Sequence, residues 1–191
     1  MEGISIASKP SGIEESIIDF SQITLRPLHL SDIDDVMVWT TDKKVAKFCS
    51  WEPHNSKEDG INYIENIATK FLWCKAICFS DRAIGCISLS SNSPHDISRN
   101  KSAELGYVLG SNYWGRGIAT FAVKQVVKVT FSELSHLERI EALVDVQNVG
   151  SQKVLEKSGF QKEGVLRKYV QLKGKGRDMI MYSVFDNDPK V

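Results

Sequence analysis

The chain has 191 residues, 42% hydrophobic and 25% charged, with a formal net charge of zero. That length suits one domain with a sizeable core. The balanced charge argues against a nucleic-acid partner, which calls for a basic excess to neutralise phosphates, and no apolar run reaches bilayer-spanning length, so no membrane partner is expected.

Residues 1–21 are polar and include Glu2, Glu14, Glu15 and Asp19. A secretory signal needs an uninterrupted apolar stretch and a transit peptide avoids acids, so neither fits. We expect a flexible N-terminal extension over 1–21, one folded domain over 22–186 and a tail over 187–191. Ile23-Thr24-Leu25-Arg26 alternates and stops at Pro27, a first strand. Ser31 is placed to cap a helix with Asp32, Asp34 and Asp35 in its first turn, where the helix dipole favours acids. Val36, Val38 and Trp39 give that helix its apolar surface. Ser56 opens a second helix with the stripe Ile61, Ile64, Ile67, Ala68 and Phe71.

Cys74–Phe79 and Ala83–Leu89 read as strands around the turn Ser80-Asp81-Arg82. Residues 90–101 carry turn chemistry and read as a surface loop. Ala103–Leu109 is the next strand, running into Tyr113-Trp114-Gly115-Arg116-Gly117. A helix follows from about Gly117 to Phe131, with Ile118, Phe121, Ala122, Val126 and Val129 on one face. Arg139–Val146 alternates as a strand, Val149–Lys157 is a short helix, and Gly159 is placed to stop it. Val165–Leu172 and Asp178–Phe185 are strands joined by Lys173-Gly174-Lys175-Gly176-Arg177. This order gives an α/β sandwich with a partly antiparallel sheet.

The cysteines are Cys49, Cys74, Cys78 and Cys86. They form no Cys-x-x-Cys pair, and no histidine stands at zinc-ligand spacing beside them, so no metal is expected. Cys78 and Cys86 fall in strand-like runs and read as buried free thiols, which suits a reducing, cytoplasmic setting.

The glycine segment carries the chemistry. A strand that turns directly into a helix exposes unpaired N–H groups at the positive end of the helix dipole. Glycines let the main chain approach a phosphate closely, Thr120 adds a hydroxyl, and Arg116 adds a cation. A pyrophosphate would fit, although a lone Gly-x-Gly also suits a tight turn without a ligand. The pattern is neither Gly-x-Gly-x-x-Gly nor a Walker loop.

The segment resembles the coenzyme-A pyrophosphate loop of the GNAT superfamily of N-acetyltransferases, Gln/Arg-x-x-Gly-x-Gly/Ala. Gly117 and Ala119 match, and Trp114 stands where Gln or Arg is usual. That tryptophan, with Ala103-Glu104-Leu105-Gly106-Tyr107-Val108-Leu109 before it, resembles the RimJ/RimL-type branch that acetylates ribosomal-protein N-termini. A second match runs from Asn148 through Ser151 to Gly159-Phe160, similar to the superfamily's Asn-x-x-Ser…Gly-Phe segment. The resemblance extends from about Ile23 to Phe185.

It implies a mixed, mostly antiparallel sheet with a central splayed parallel strand pair and helices on both faces. It also implies acetyl-CoA as co-substrate and direct attack by an amine on the thioester. On that reading Tyr107, Val108 and Leu109 offer backbone groups to the pantetheine arm. Trp114, Gly115, Arg116, Gly117, Ile118, Ala119 and Thr120 surround the pyrophosphate, and Asn148 contacts the cofactor. Glu104 is the candidate base; its alternative is a glutamate on the strand's polar side. Asn148 doubles as a helix cap. Many relatives place a proton-donating tyrosine seven positions after the asparagine, where this chain has Leu155. Ser151 is the substitute, or else an ordinary first-turn serine. Lys124, Lys153 and Lys157 are candidates for the nucleotide 3′-phosphate.

The expected acceptor is an amine-bearing small molecule, such as a polyamine, or a protein N-terminus, and the expected state is monomer or homodimer. Two other readings remain: a non-catalytic acyl-CoA-sensing module, which the missing tyrosine favours, and a nucleotide-phosphate-binding regulator.

Overall fold

The computed structural model describes residues 18–91 and 101–189. Most of the expected extension and of the expected 90–101 loop therefore lies outside the described residues. A short 3-10 turn at Phe20–Gln22 leads into β1 (Ile23–Arg26). α1 (Ile33–Thr40), α2 (Lys43–Ala46) and α3 (Lys57–Asn62) follow, and β2 (Trp73–Phe79), β3 (Arg82–Ser91) and β4 (Ser102–Leu109) come next. α4 (Ile118–Glu133), β5 (Arg139–Asp145), α5 (Val149–Lys157), β6 (Gln161–Leu172) and β7 (Lys175–Phe185) complete the chain.

The strands form one sheet in the order β1-β2-β3-β4-β5-β7-β6. The pair β4–β5 is parallel, and every other neighbouring pair is antiparallel. Strand side chains alternate between faces. Ala103, Leu105 and Leu109 of β4 pack with Ile118, Ala122, Val123 and Val126 of α4 and Leu155 of α5. Val108 of the same strand packs instead with Cys86 of β3, Val36 and Trp39 of α1 and Tyr63. The helices thus cover both faces, as the resemblance implies.

Local chemistry sets several boundaries. Ser31 does not cap α1. It lies inside a 3-10 turn (Leu30–Asp32); Asp32 holds the cap position of α1 without a side-chain capping bond, and its carboxylate instead accepts from the His29 N–H at 2.9 Å, closing the 3-10 turn. The same carboxylate receives both Arg26 Nη atoms at 2.8 and 2.7 Å, a fork that joins β1 to the start of α1. Ser56 does cap α3, but the apolar stripe is displaced: Gly60, Tyr63 and Ile64 are buried and Ile61 is exposed. Beyond α3 the chain continues through a π turn at Tyr63–Ile67, which shifts the face that a 3.6-residue period selects.

The β2–β3 hairpin turns at Ser80 and Asp81, both at positive φ (47° and 68°), as a two-residue turn requires. β3 runs on through Ser91, two residues into the expected loop. The last hairpin turns on Lys173 and Gly174 alone, so Lys175–Arg177 belong to β7. α5 keeps its expected bounds, and Gly159 follows at φ 90°, closing it with the Phe160 N–H donating to the Leu155 carbonyl.

Candidate active site

The centre of the site is a fork in the sheet. β4 pairs with β5 only from Ser102 to Glu104, while on its other edge β4 stays paired with β3 as far as Leu109. Past Glu104 the β5-facing backbone groups of β4 therefore lie beyond the parallel ladder. Unpaired N–H and C=O groups need partners, and here they border a cleft of about 690 Å³ that Tyr107, Val108 and Leu109 help line.

At the end of β4 the Trp114 indole N–H donates to the Leu109 carbonyl at 2.7 Å and pins the turn back on its strand. Gly117 then takes φ 81° as the N-cap of α4, in the left-handed region that glycine reaches without Cβ strain. A Cβ there would also stand 3.3 Å from the Phe20 ring. No side chain caps this helix. Its first backbone bond runs from the Phe121 N–H to the Gly117 carbonyl, which leaves the N–H groups of Ile118, Ala119 and Thr120 for a ligand. Trp114, Gly115, Gly117, Ile118, Ala119 and Thr120 all line the cleft. Arg116 does not; it is exposed beside it.

α5 forms the opposite wall, and Asn148, Ser151, Lys153 and Lys157 line the cleft. Asn148 Oδ1 accepts from the Ser151 N–H at 3.2 Å, so its cap is real. Its amide NH₂ is the part left to bind a ligand. The Tyr107 hydroxyl donates to the Ser151 carbonyl at 3.1 Å. Sequence reasoning gave Tyr107 a backbone role only. Burial pushes its phenol well above the ordinary tyrosine value, so it holds its proton and braces β4 against α5. Leu155 is 0% exposed and belongs to the core.

Glu104 is half-buried at the last paired position of the fork, in register with Glu141 of β5 and Ser90 of β3. It sits beside the cleft and is not among the residues lining it. Lys124 does not line it either.

A third wall is absent from the sequence reading. Lys44, Val45, Lys47, Phe48 and Cys49, in and after α2, face the cleft. Asp42 caps α2 through the Lys44 N–H at 2.8 Å and also accepts from the Ser111 hydroxyl, tying α2 to the turn after β4. From the far hairpin Lys173 donates to the Ala46 carbonyl at 2.9 Å and pairs with Glu52 at 3.3 Å. The overlooked signal was Asp42, a good cap two residues after the end of α1. Four lysines and, among the described residues, no carboxylate line the cleft. Such a wall favours an anionic ligand.

Comparison with known proteins agrees with this geometry. Residues 22–161 match the family described as acetyltransferase (GNAT) domain. The chain is similar to the uncharacterised N-acetyltransferase p20 of Bacillus licheniformis, 34% identical over 173 residues, covering 87% of this chain and 94% of that protein. Among solved structures it is similar to the microcin C7 self-immunity acetyltransferase MccE in complex with acetyl-CoA and AMP. That match has 29% identity and a TM-score of 0.73, over 93% of this chain and 97% of the other. It is also similar to the ribosomal-protein-S5-alanine acetyltransferase of Vibrio fischeri, with 25% identity and a TM-score of 0.68, over 91% and 98%.

Proposed function

Since the chain belongs to the GNAT family of acetyltransferases, we propose that this acetyl-CoA-dependent enzyme acetylates a primary amine, with a protein N-terminus as the first acceptor to test. The observation that carries the reading is the uncapped start of α4 opening into a lysine-lined cleft that continues into the β4–β5 fork. The first-turn N–H groups of α4 would hold the pyrophosphate. The free edge of β4 would pair with the pantetheine amides and aim the thioester at the fork.

In the reaction the neutral amine attacks the thioester carbonyl, the C–N bond forms, and the C–S bond breaks. Glu104 takes the amine proton, through a water because it stands beside the cleft. The CoA thiolate leaves and recovers a proton, with the Ser151 hydroxyl as its hydrogen-bond donor. The N-terminus is placed first because of Trp114 and the similarity to the Vibrio fischeri enzyme; polyamines and other small amines follow.

A thiol-release assay with acetyl-CoA against N-terminal peptides, polyamines and amino acids tests this. Release with at least one amine class is expected. A second reading, an acyl-CoA sensor, draws on Leu155 being sealed in the core and on Glu104 lying off the cleft lining. Stabilisation by acetyl-CoA with no thiol release from any amine would favour the sensor. Stabilisation by ATP and by neither CoA species would overturn both.

A further inference from the structure

We infer that Cys74 and Cys86 form a dithiol site that hydrogen peroxide, or a peroxide of similar size, converts to a disulfide clamping β2 to β3. The pair is set by the ladder. Cys74 lies opposite Ser88, and Cys86 lies opposite Ala76. The two cysteines are therefore diagonal neighbours on one face of the sheet, and their Sγ atoms stand 3.2 Å apart. Closing to a disulfide of about 2.05 Å requires the sulfurs to approach by little more than 1 Å. Both are free thiols.

Their surroundings divide the chemistry between them. Cys74 is half-buried and the more accessible of the two, while Cys86 is 3% exposed. One S–H···S hydrogen bond joins the two sulfurs; their contact lowers the Cys74 thiol below its ordinary value, while it and burial raise that of Cys86. Cys74 is thus the nucleophile and Cys86 the resolving thiol. The Cys74 thiolate attacks one peroxide oxygen, the O–O bond breaks, and hydroxide leaves and takes up a proton as water. The resulting sulfenic acid is attacked by the Cys86 sulfur, the S–S bond forms, and a second water leaves with the Cys86 proton. Two thiols lose two electrons in total, and one peroxide gains them.

The remaining cysteines serve as internal comparators. Burial pushes the Cys49 thiol up to about 12 and also raises Cys78, so both are poor nucleophiles. The site is independent of the acyl-transfer reading, yet it is close to the cleft. Cys86 stands in register with Val108, and both cysteines pack with Val108 and Tyr63.

The test treats the full chain with hydrogen peroxide, alkylates the remaining thiols after unfolding, and maps the peptides without reductant. The expected product is a cross-linked Cys74–Cys86 peptide pair lighter by two hydrogens. It should form at least about tenfold faster than any change at Cys49 or Cys78, and dithiothreitol should reverse it. In Cys86→Ala, a sulfenic-acid trap should label Cys74; in Cys74→Ala, it should leave Cys86 unlabelled. Three outcomes overturn the proposal: irreversible oxidation of Cys74 in the wild-type chain with Cys86 still alkylatable, first attack at Cys49, or neither cysteine of the pair reacting. The wild-type map decides the matter even where a variant fails to fold.

Discussion

Gly117 joins backbone conformation to ligand binding, because its positive φ turns the first N–H groups of α4 toward the cleft. Gly117→Ala puts a Cβ in the left-handed region, costing about 1–2 kcal/mol, and against the Phe20 ring. Relief would rotate the donors away, and each charge-assisted bond lost is worth about 1.5–3 kcal/mol. We expect the KM for acetyl-CoA to rise about tenfold or more, with melting lowered by a few degrees. A lower Tm with unchanged KM would separate the loop from the cofactor. Glu104→Gln keeps shape and removes basicity: kcat should fall about 10²- to 10⁴-fold while acetyl-CoA still protects against melting. Glu163 reports on the fold alone. It binds Arg139 through both oxygens, at 2.5 and 2.9 Å, and accepts from Ser183, which holds its carboxyl down at about 2 against 4.5 unperturbed. A folded-state value below the unfolded one stabilises above the unfolded value and is lost as pH falls. The advantage of wild type over Glu163→Gln should therefore be constant above pH 4.5 and vanish as pH falls toward 2, as acid-melting curves would show.

Among the elements, β4 is held on one edge and free on the other, and Gly85 of β3 helps to keep it so. A Cβ at Gly85 would collide with the Val108 carbonyl oxygen and stand 2.9 Å from the Leu109 Cα, both backbone atoms with nowhere to move. Gly85→Ala should push β4 off β3 at the residues that border the fork. It should lower stability by about 1–3 kcal/mol and weaken acetyl-CoA binding together with it, read from paired melting and KM measurements. None of this contact was legible in the sequence, where Gly85 was simply a residue inside an apolar run. The strands themselves were legible, though not to their ends, because alternation over Arg139–Val146 and the turn residues within 80–82 and 173–177 report local backbone demands. So was the walled path from β4 through Trp114 to α4, because cap and glycine chemistry are local. α2 was not, since four residues hold barely one turn and show no period. The stripe of α3 failed at Ile61 for a related reason, because the π turn that follows resets the face. The Tyr107–Ser151 bond joins residues 44 apart and was beyond any spacing argument.

Across the whole molecule, the cleft beside the β4–β5 fork is lined by two segments far apart in the chain, α2 with the residues after it and α5, each bringing two exposed lysines: Lys44 and Lys47, and Lys153 and Lys157. CoA carries its charge at two places, a pyrophosphate and a 3′-phosphate, and the start of α4 accounts for the first. Lys153 and Lys157 are four apart on α5, so they share a helix face, and they line the cleft on the same helix as Asn148. Exposed cations are worth about 1 kcal/mol or less apiece, so their contribution should be additive, small and salt-sensitive. Saturation with acetyl-CoA at a hundred times its Kd should stabilise the chain by about 2.7 kcal/mol, visible as a rise in Tm that shrinks as salt is added. Lys153→Ala/Lys157→Ala should weaken CoA binding several-fold and leave dephospho-CoA, which lacks the 3′-phosphate, almost unchanged. Lys44→Ala/Lys47→Ala, on the other wall, should weaken both ligands alike if α2 faces the pyrophosphate. Equal losses for both ligands in the α5 double variant would place the 3′-phosphate away from α5. The same titrations would then show whether α2 takes it instead, through a loss confined to CoA in the Lys44/Lys47 variant.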